Sequence, residues 1–370
     1  MGDKTAKETI GIMLLNLGGP DSLQAVRPFL YNLFSDRQII QLGPSFLQKP
    51  LAWLISTTRS KKAERFYSLI GGKSPILEIT IAQAKALEEA LNQQSAISNQ
   101  QSNPPLPLDN PPTPPLVRGG EGGFEKGGHG GITHSSQSFK VYVGMRYWHP
   151  LIEDVIPVIF REGIRKLIAL SLYPHYSLAT SGSSLSKFKE VAANYPMEIF
   201  CISSWFDHPL YIEALVDVIK RGLESFSQKS ERDIHVLFSA HSLPQKIIEQ
   251  GDPYVNQIMG TIEEITKRIA IKWHLSYQSR SGPVKWLEPS TDDKLKELAT
   301  EGIKNILVVP ISFVSDHIET LYEIDILYKQ MAEGLGINLR RTESLNTHPL
   351  FIEALKDMVI RNMKELDWAE

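Results

Sequence analysis

The stretch REGIRKLIALSLYP, Arg161 to Pro174, is echoed 139 residues later by TEGIKNILVVPISF, Thr300 to Phe313, and this repetition decides the fold. Each copy is a short apolar run between a Glu-Gly turn and a proline, the pattern of a strand buried on both faces of a parallel sheet. A second echo follows: DHPLYIEALVDVI, Asp207 to Ile219, resembles THPLFIEALKDMV, Thr347 to Val359, 140 residues on. A strand and a helix recurring at nearly one spacing point to two similar half-molecules. His208 and His348 each precede a proline at a helix's first turn, so both are read as helix-start residues.

Working outward, IGIMLLNLGGP (Ile10 to Pro20), KVYVGMRY, MEIFCISS and DIHVLFSAH supply further strands of the same kind. Between the strands lie helical patterns such as PILEITIAQAKALEEALNQ and YVNQIMGTIEEITKRIAIKW. Short apolar strands alternating with amphipathic helices give an α/β protein of the doubly wound, Rossmann-like type. Residues from about 92 to 138, crowded with proline and then glycine, are read as an extended excursion outside the fold.

Composition removes several function classes. A net charge of -3 over 370 residues argues against a nucleic-acid binder held by phosphate contacts. Cys201 is the single cysteine, which excludes an intramolecular disulfide and a cysteine-rich zinc or iron-sulfur site. The first ten residues do not read as a signal peptide, and no apolar run approaches the roughly 20 residues needed to span a bilayer.

In open α/β sheets, ligands collect beyond the C-terminal strand ends. The polar residues reached there are Asn16, with Gly18 and Gly19; Arg146 and Tyr147; Tyr173, His175 and Tyr176; His241; and Asp316, His317, Glu319 and Glu323. So many protonatable groups on one edge favour an enzyme. A helix starting at Asp316 places Asp316, Glu319 and Glu323 along one face, as a carboxylate row for protons or a divalent cation; an acidic capping box is the alternative. His241 is either a proton acceptor or metal ligand, or a connector before a helix capped by Ser242 and Gln245. Ser45 to Ile76 combines aromatic and basic residues, which suits a lid over a flat apolar ligand, a helix on an acidic membrane surface, or a solvated basic face.

LLNLGGPDSL, FYSLIGGKSPI, VYVGMRYWHP, LYPHYSLATSGSSL, LFSAHSLPQKIIEQGDPY, VKWLEPSTDD and PISFVSDHIETLYEID, in this order, resemble the ferrochelatases. The resemblance covers almost the whole chain outside the proline and glycine excursion. It implies two chelatase-type domains with the active cleft between them, here 1–178 completed by 330–370, and 179–329. It further implies insertion of ferrous iron into protoporphyrin IX with release of two protons. His241 and Glu319 are then the opposed inner pair and the metal ligands, with Asp316, His317 and Glu323 as a polar relay and Tyr147 on the other wall. Leu17, Leu33, Phe34, Trp286 and Phe313 are expected to contact the ring, and Arg59, Lys62, Tyr67, Ser74 and Arg146 to frame the substrate. Fe²⁺ is a substrate rather than a prosthetic group, and no iron-sulfur cluster is expected. Leu17 stands where the coproporphyrin-using branch typically has tyrosine, which tilts the expectation toward protoporphyrin. Coproporphyrin or another metal and tetrapyrrole pair is the alternative, and a non-catalytic haem or porphyrin carrier the more distant one. The expected partners are the porphyrin, iron and, through about 45–67, a membrane surface, but no nucleic acid. The expected location is cytoplasmic and peripheral to a membrane.

Overall fold

Eight strands among the described residues form two parallel sheets of four. The computed structural model describes residues 8–40, 42–101, 137–226, 233–280, 282 and 284–368. In the first sheet Thr9–Asn16 (β1), Ser138–Met145 (β2), Lys166–Ser171 (β3) and Glu198–Ile202 (β4) lie in the order β2-β1-β3-β4. In the second, Ile234–His241 (β5), Lys272–Gln278 (β6), Asn305–Pro310 (β7) and Asn338–Arg341 (β8) repeat it as β6-β5-β7-β8. The two echoed apolar runs are β3 and β7, which hold equivalent places. Their side chains are almost wholly buried, as expected for strands covered on both faces.

Helices make the covering layers. The first half carries Val26–Ser35 (α1), Gln48–Leu69 (α2), Ile76–Gln101 (α3), Ile152–Arg161 (α4) and Ser183–Ala192 (α5). Beyond β4 come Pro209–Glu224 (α6), Gln245–Glu249 (α7), Tyr254–Thr266 (α8), Thr291–Thr300 (α9), Lys329–Gly334 (α10) and Pro349–Glu365 (α11). One continuous core joins both sheets through α3, α6, α8 and α11, while α4 with α5, and α9 with α10, close the outer faces. Fully buried Ile219 and Phe351 in the shared layer each stabilise it by about 1.5–3 kcal/mol.

The echoed helices are α6 and α11, and their histidines do more than start them. Neither His208 nor His348 caps its own helix with its side chain. Instead His208 Nε2 bonds Asp357 of α11 at 2.9 Å, and His348 Nε2 bonds Asp217 of α6 at 2.9 Å. The two sequence copies thus exchange one bond each across the packed helix pair.

Three expectations need correction. The division at 178 and 329 does not follow the sheets, because β4 pairs with β3 and β8 pairs with β7. Strand pairing instead puts the change of sheet between Ile202 and Ile234. The strands β6 and β8 were not anticipated: KWHLSYQ starts exposed and NLRR is short and charged, so neither shows an uninterrupted apolar run. The excursion placed from 92 starts too early, since α3 continues to Gln101; His129 and His134 lie outside the described residues.

Candidate active site

β5 delivers His241 to the C-terminal edge of the second sheet, and the segment after β7 brings Glu319 to face it. Between them His241 Nδ1 and Glu319 Oε2 are 2.8 Å apart. A carboxylate only accepts, so the ring nitrogen donates. Burial alone would lower the His241 pKa, but the Glu319 charge and hydrogen bond, with Glu323 behind, raise it. Burial likewise works to raise the Glu319 carboxyl, yet His241, with His317 and Ser279, holds it well below the usual carboxylate range. Both shifts favour the imidazolium and carboxylate form of the pair.

His317 faces the same carboxylate. Its Nδ1 donates to Ser315 O at 3.0 Å, and its buried Nε2 has no hydrogen-bond partner. That Nε2 lies 4.0 Å from Glu319 Oε2. Burial holds the ring neutral against the pull of Glu319, so two acceptors confront each other across a gap that suits a proton or a cation. Phe313 packs between the two histidines, with centroid distances of 4.2 Å to His317 and 5.9 Å to His241.

The acidic row differs from the expected one because its helix has a different period. Glu319–Tyr328 is a π-helix, with i to i+5 bonding, and Asp316 lies before it. Glu323 stays with Glu319: Ser279 Oγ donates to its Oε2 at 2.5 Å, and Gln278 Nε2 reaches that oxygen at 3.4 Å and Glu319 O at 3.2 Å. Burial, then the Glu319 charge, raise Glu323 to about 7. Asp316 turns elsewhere. Arg341, Ser344, Asn346 and Thr320 all donate to it, Arg341 at 3.0 Å, and Arg341 also makes two 2.8 Å bonds to Asp325. Burial would raise the Asp316 carboxyl, but these partners keep it low. These contacts anchor the segment carrying Glu319.

Tyr147 lies in the first half of the molecule. Its buried hydroxyl donates to Asp36 Oδ2 at 2.7 Å and lies 3.0 Å from Ser183 Oγ, while Arg146 Nη2 bonds the same carboxylate oxygen at 2.7 Å. Burial pushes the phenol well above its ordinary pKa, with Arg146 opposing and Asp36 reinforcing the rise. Tyr147 and Arg146 thus build a network with Asp36 and Ser183 on the first half.

Between the halves lies a cavity of about 1650 Å³. Phe34, Arg59 and Trp286 line it, as does Pro244, three residues past His241; His241 and Glu319 are not on its wall. The Arg59 guanidinium lies over the Phe34 ring at 5.6 Å. The end of α2 reaches the π-helix: Phe66 stacks on Tyr322 at 4.1 Å, and Lys62 sits over Phe66 at 5.6 Å. Tyr67 is buried, and burial with the charge of Glu319 raises its phenol. Leu33 is half-buried on α1. Leu17 is half-buried, with its carbonyl bonded by Tyr147 N at 3.0 Å. Ser74 is a packing residue in this arrangement: it is buried, and a Cβ on Gly19 would meet its side chain at 2.6 Å. Glycine at 19 lets these two loops touch.

Sequence reading missed Asp36, Ser183, Gln278 and Ser279. Only Ser183 lay in a motif that was singled out, LYPHYSLATSGSSL; the others are polar residues whose partners are distant in the chain.

The ferrochelatase family model matches residues 9–105 and 130–363. The ferrochelatase of Geotalea uraniireducens is 48% identical over 363 residues, covering 97% of this chain and 98% of that relative. Those of Gloeothece citriformis and Synechocystis are 46% and 44% identical over 364 residues, covering 96% of this chain and 83% of each relative. With two matching parallel-sheet halves and the motif residues in order, the chain belongs to the ferrochelatase family, enzymes that insert a metal into a porphyrin.

Proposed function

We propose that this enzyme inserts ferrous iron into protoporphyrin IX, releasing two protons to complete haem synthesis. The observation that carries this reading is the 2.8 Å His241–Glu319 pair at the strand ends beside the cavity between the halves. A porphyrin cannot accept a metal into its four nitrogens until both pyrrole N–H protons leave. Glu319 favours the charged form of His241, and in that form the ring must first lose a proton to act as a base. A dication arriving beside Glu319 opposes the charge that keeps His241 protonated. The neutral ring can then take one pyrrole proton, while Glu323 and His317 are positioned to receive and pass on others. Imidazole and carboxylate suit Fe²⁺ and equally Zn²⁺, so the donor set leaves metal choice to the assay.

Leu17, an apolar side chain in the first loop, supports a substrate with fewer carboxylates. Anaerobic turnover with Fe²⁺ or Co²⁺, each paired with protoporphyrin or coproporphyrin, tests the reading. The fastest conversion is expected for Fe²⁺ with protoporphyrin; faster turnover of coproporphyrin would overturn the substrate, and faster Co²⁺ insertion the metal.

The same reading includes peripheral membrane contact through 45–67. Phe46 is 75% exposed, Trp53 54% and Leu54 51%, and the exposed cations Lys49, Lys61, Lys62 and Arg65 share this segment. No helix among the described residues is long and apolar enough to cross a membrane. Co-sedimentation with anionic vesicles should weaken by about tenfold when Trp53 and Leu54 are both replaced by aspartate, since two apolar side chains leave the interface. Unchanged sedimentation would place the contact elsewhere.

A further inference from the structure

His241 is held by a strap that begins in the other half of the molecule. Ser239, two residues earlier, still accepts from Ile311 N, just past β7, at 3.0 Å, but β5 and β7 pair no further than Ser239 with Pro310. At His241 side chains replace the missing strand. Its N–H donates to Ser312 Oγ at 2.9 Å, and its carbonyl accepts from the Tyr254 hydroxyl at 2.9 Å. Tyr254 opens α8, is only 3% exposed, and sets its ring edge-on to His175 of the first half at 6.2 Å. Asp252 stands two residues before it. Its Oδ1 accepts from Tyr254 N at 3.1 Å, and its Oδ2 accepts from Ser177 Oγ at 3.0 Å and Leu178 N at 2.8 Å. The last two donors begin the short π-helix Leu178–Gly182 of the first half.

A phenol that donates to a backbone carbonyl, with the Ser312 hydroxyl also bonded to it, helps fix where that peptide lies, and losing the donor leaves a buried acceptor unsatisfied. Asp252 and Tyr254 do not line the cavity, so they can influence the reaction through the position of His241. We propose that Tyr254 is a positioning residue for His241, and that Asp252 makes this positioning depend on how the two halves are seated against each other. The inference rests on the role given to His241 above.

Tyr254→Phe, made in the full chain, removes the hydroxyl and keeps the ring. It is expected to lower kcat for metal insertion by about 10–100-fold, the cost of misplacing a reacting group by a fraction of an ångström to an ångström, while KM for the porphyrin stays within about twofold. Asp252→Asn should show the same split. In a His241→Gln background, Tyr254→Phe should cause no further loss, because two residues acting as one unit are not additive. The imidazole NMR signal of His241, identified among the chain's ten histidines by its loss from His241→Gln, should shift in Tyr254→Phe. An unchanged kcat, an unmoved signal or additive losses would each overturn the proposal. If Tyr254→Phe does not fold, Ser312→Ala releases the peptide on the other side of His241 and is judged by the same readings. A wild-type protein inactive with every porphyrin would refute the proposed function instead, while the imidazole signal would still decide the positioning.

Discussion

Replacing His241 by alanine is expected to slow metal insertion by about 10²–10⁴-fold, the usual contribution of a positioned proton acceptor. Glu319→Gln should fall in the same range. The two losses should not multiply in the double variant, because the 2.8 Å bond makes each group the condition of the other's charge. His241→Ala also removes a hydrogen bond to a charged group, worth about 1.5–3 kcal/mol of stability. Its pH dependence has a definite sign. Glu319 is depressed from 4.5, so its share is present above that value and lost as pH falls through the folded pKa. His241 is raised from 6.5, so its share is full below that value and lost as pH rises through the folded pKa. The stability gap between wild type and His241→Ala should therefore be widest between 4.5 and 6.5 and narrow on the alkaline side. Urea unfolding across that range checks the shape; metal insertion at wild-type rate by a folded His241→Ala protein would remove the proposed role.

Asp316→Ala is expected to do the opposite. It leaves the Arg341 guanidinium, whose side chain is 11% exposed, with Asp325 as its remaining carboxylate, at a cost of about 3 kcal/mol. Yet turnover per folded molecule should stay within about threefold, because Glu319 keeps its own 2.8 Å bond to His241 and Asp316 takes no proton in the proposed reaction. Urea midpoints and active-site-normalised kcat separate the two effects. A loss of kcat comparable to that of Glu319→Gln, with stability unchanged, would restore Asp316 to the relay.

These contrasts show where local pattern was enough. His241, Glu319 and Glu323 were legible because each follows an apolar strand run, and a strand end is a short-range property of the chain. The placement of Asp316 on one helical face with Glu319 and Glu323 was misread by assuming the 3.6-residue period for SDHIETLYEID. The observed π-helix begins only at Glu319, and Asp316 is drawn to Arg341, 25 residues further on. Tyr147 was read as part of the opposing wall; its bond to Asp36, 111 residues away, was not legible in the sequence.

The sequence by itself determined the class of the fold and its two similar halves, since burial on two faces selects apolar runs and one strand and one helix read alike in both halves. It also placed His241 at the C-terminal end of a strand. Only the tertiary structure decided who meets whom: His241 with Glu319, His208 with Asp357 and His348 with Asp217, and Tyr254 under the carbonyl of His241. Hydrogen bonds and ion pairs act over about 3 Å in space and carry no trace of their separation along the chain. The periodic signals of burial survive in one dimension, whereas the pairings that set proton affinity exist only in three.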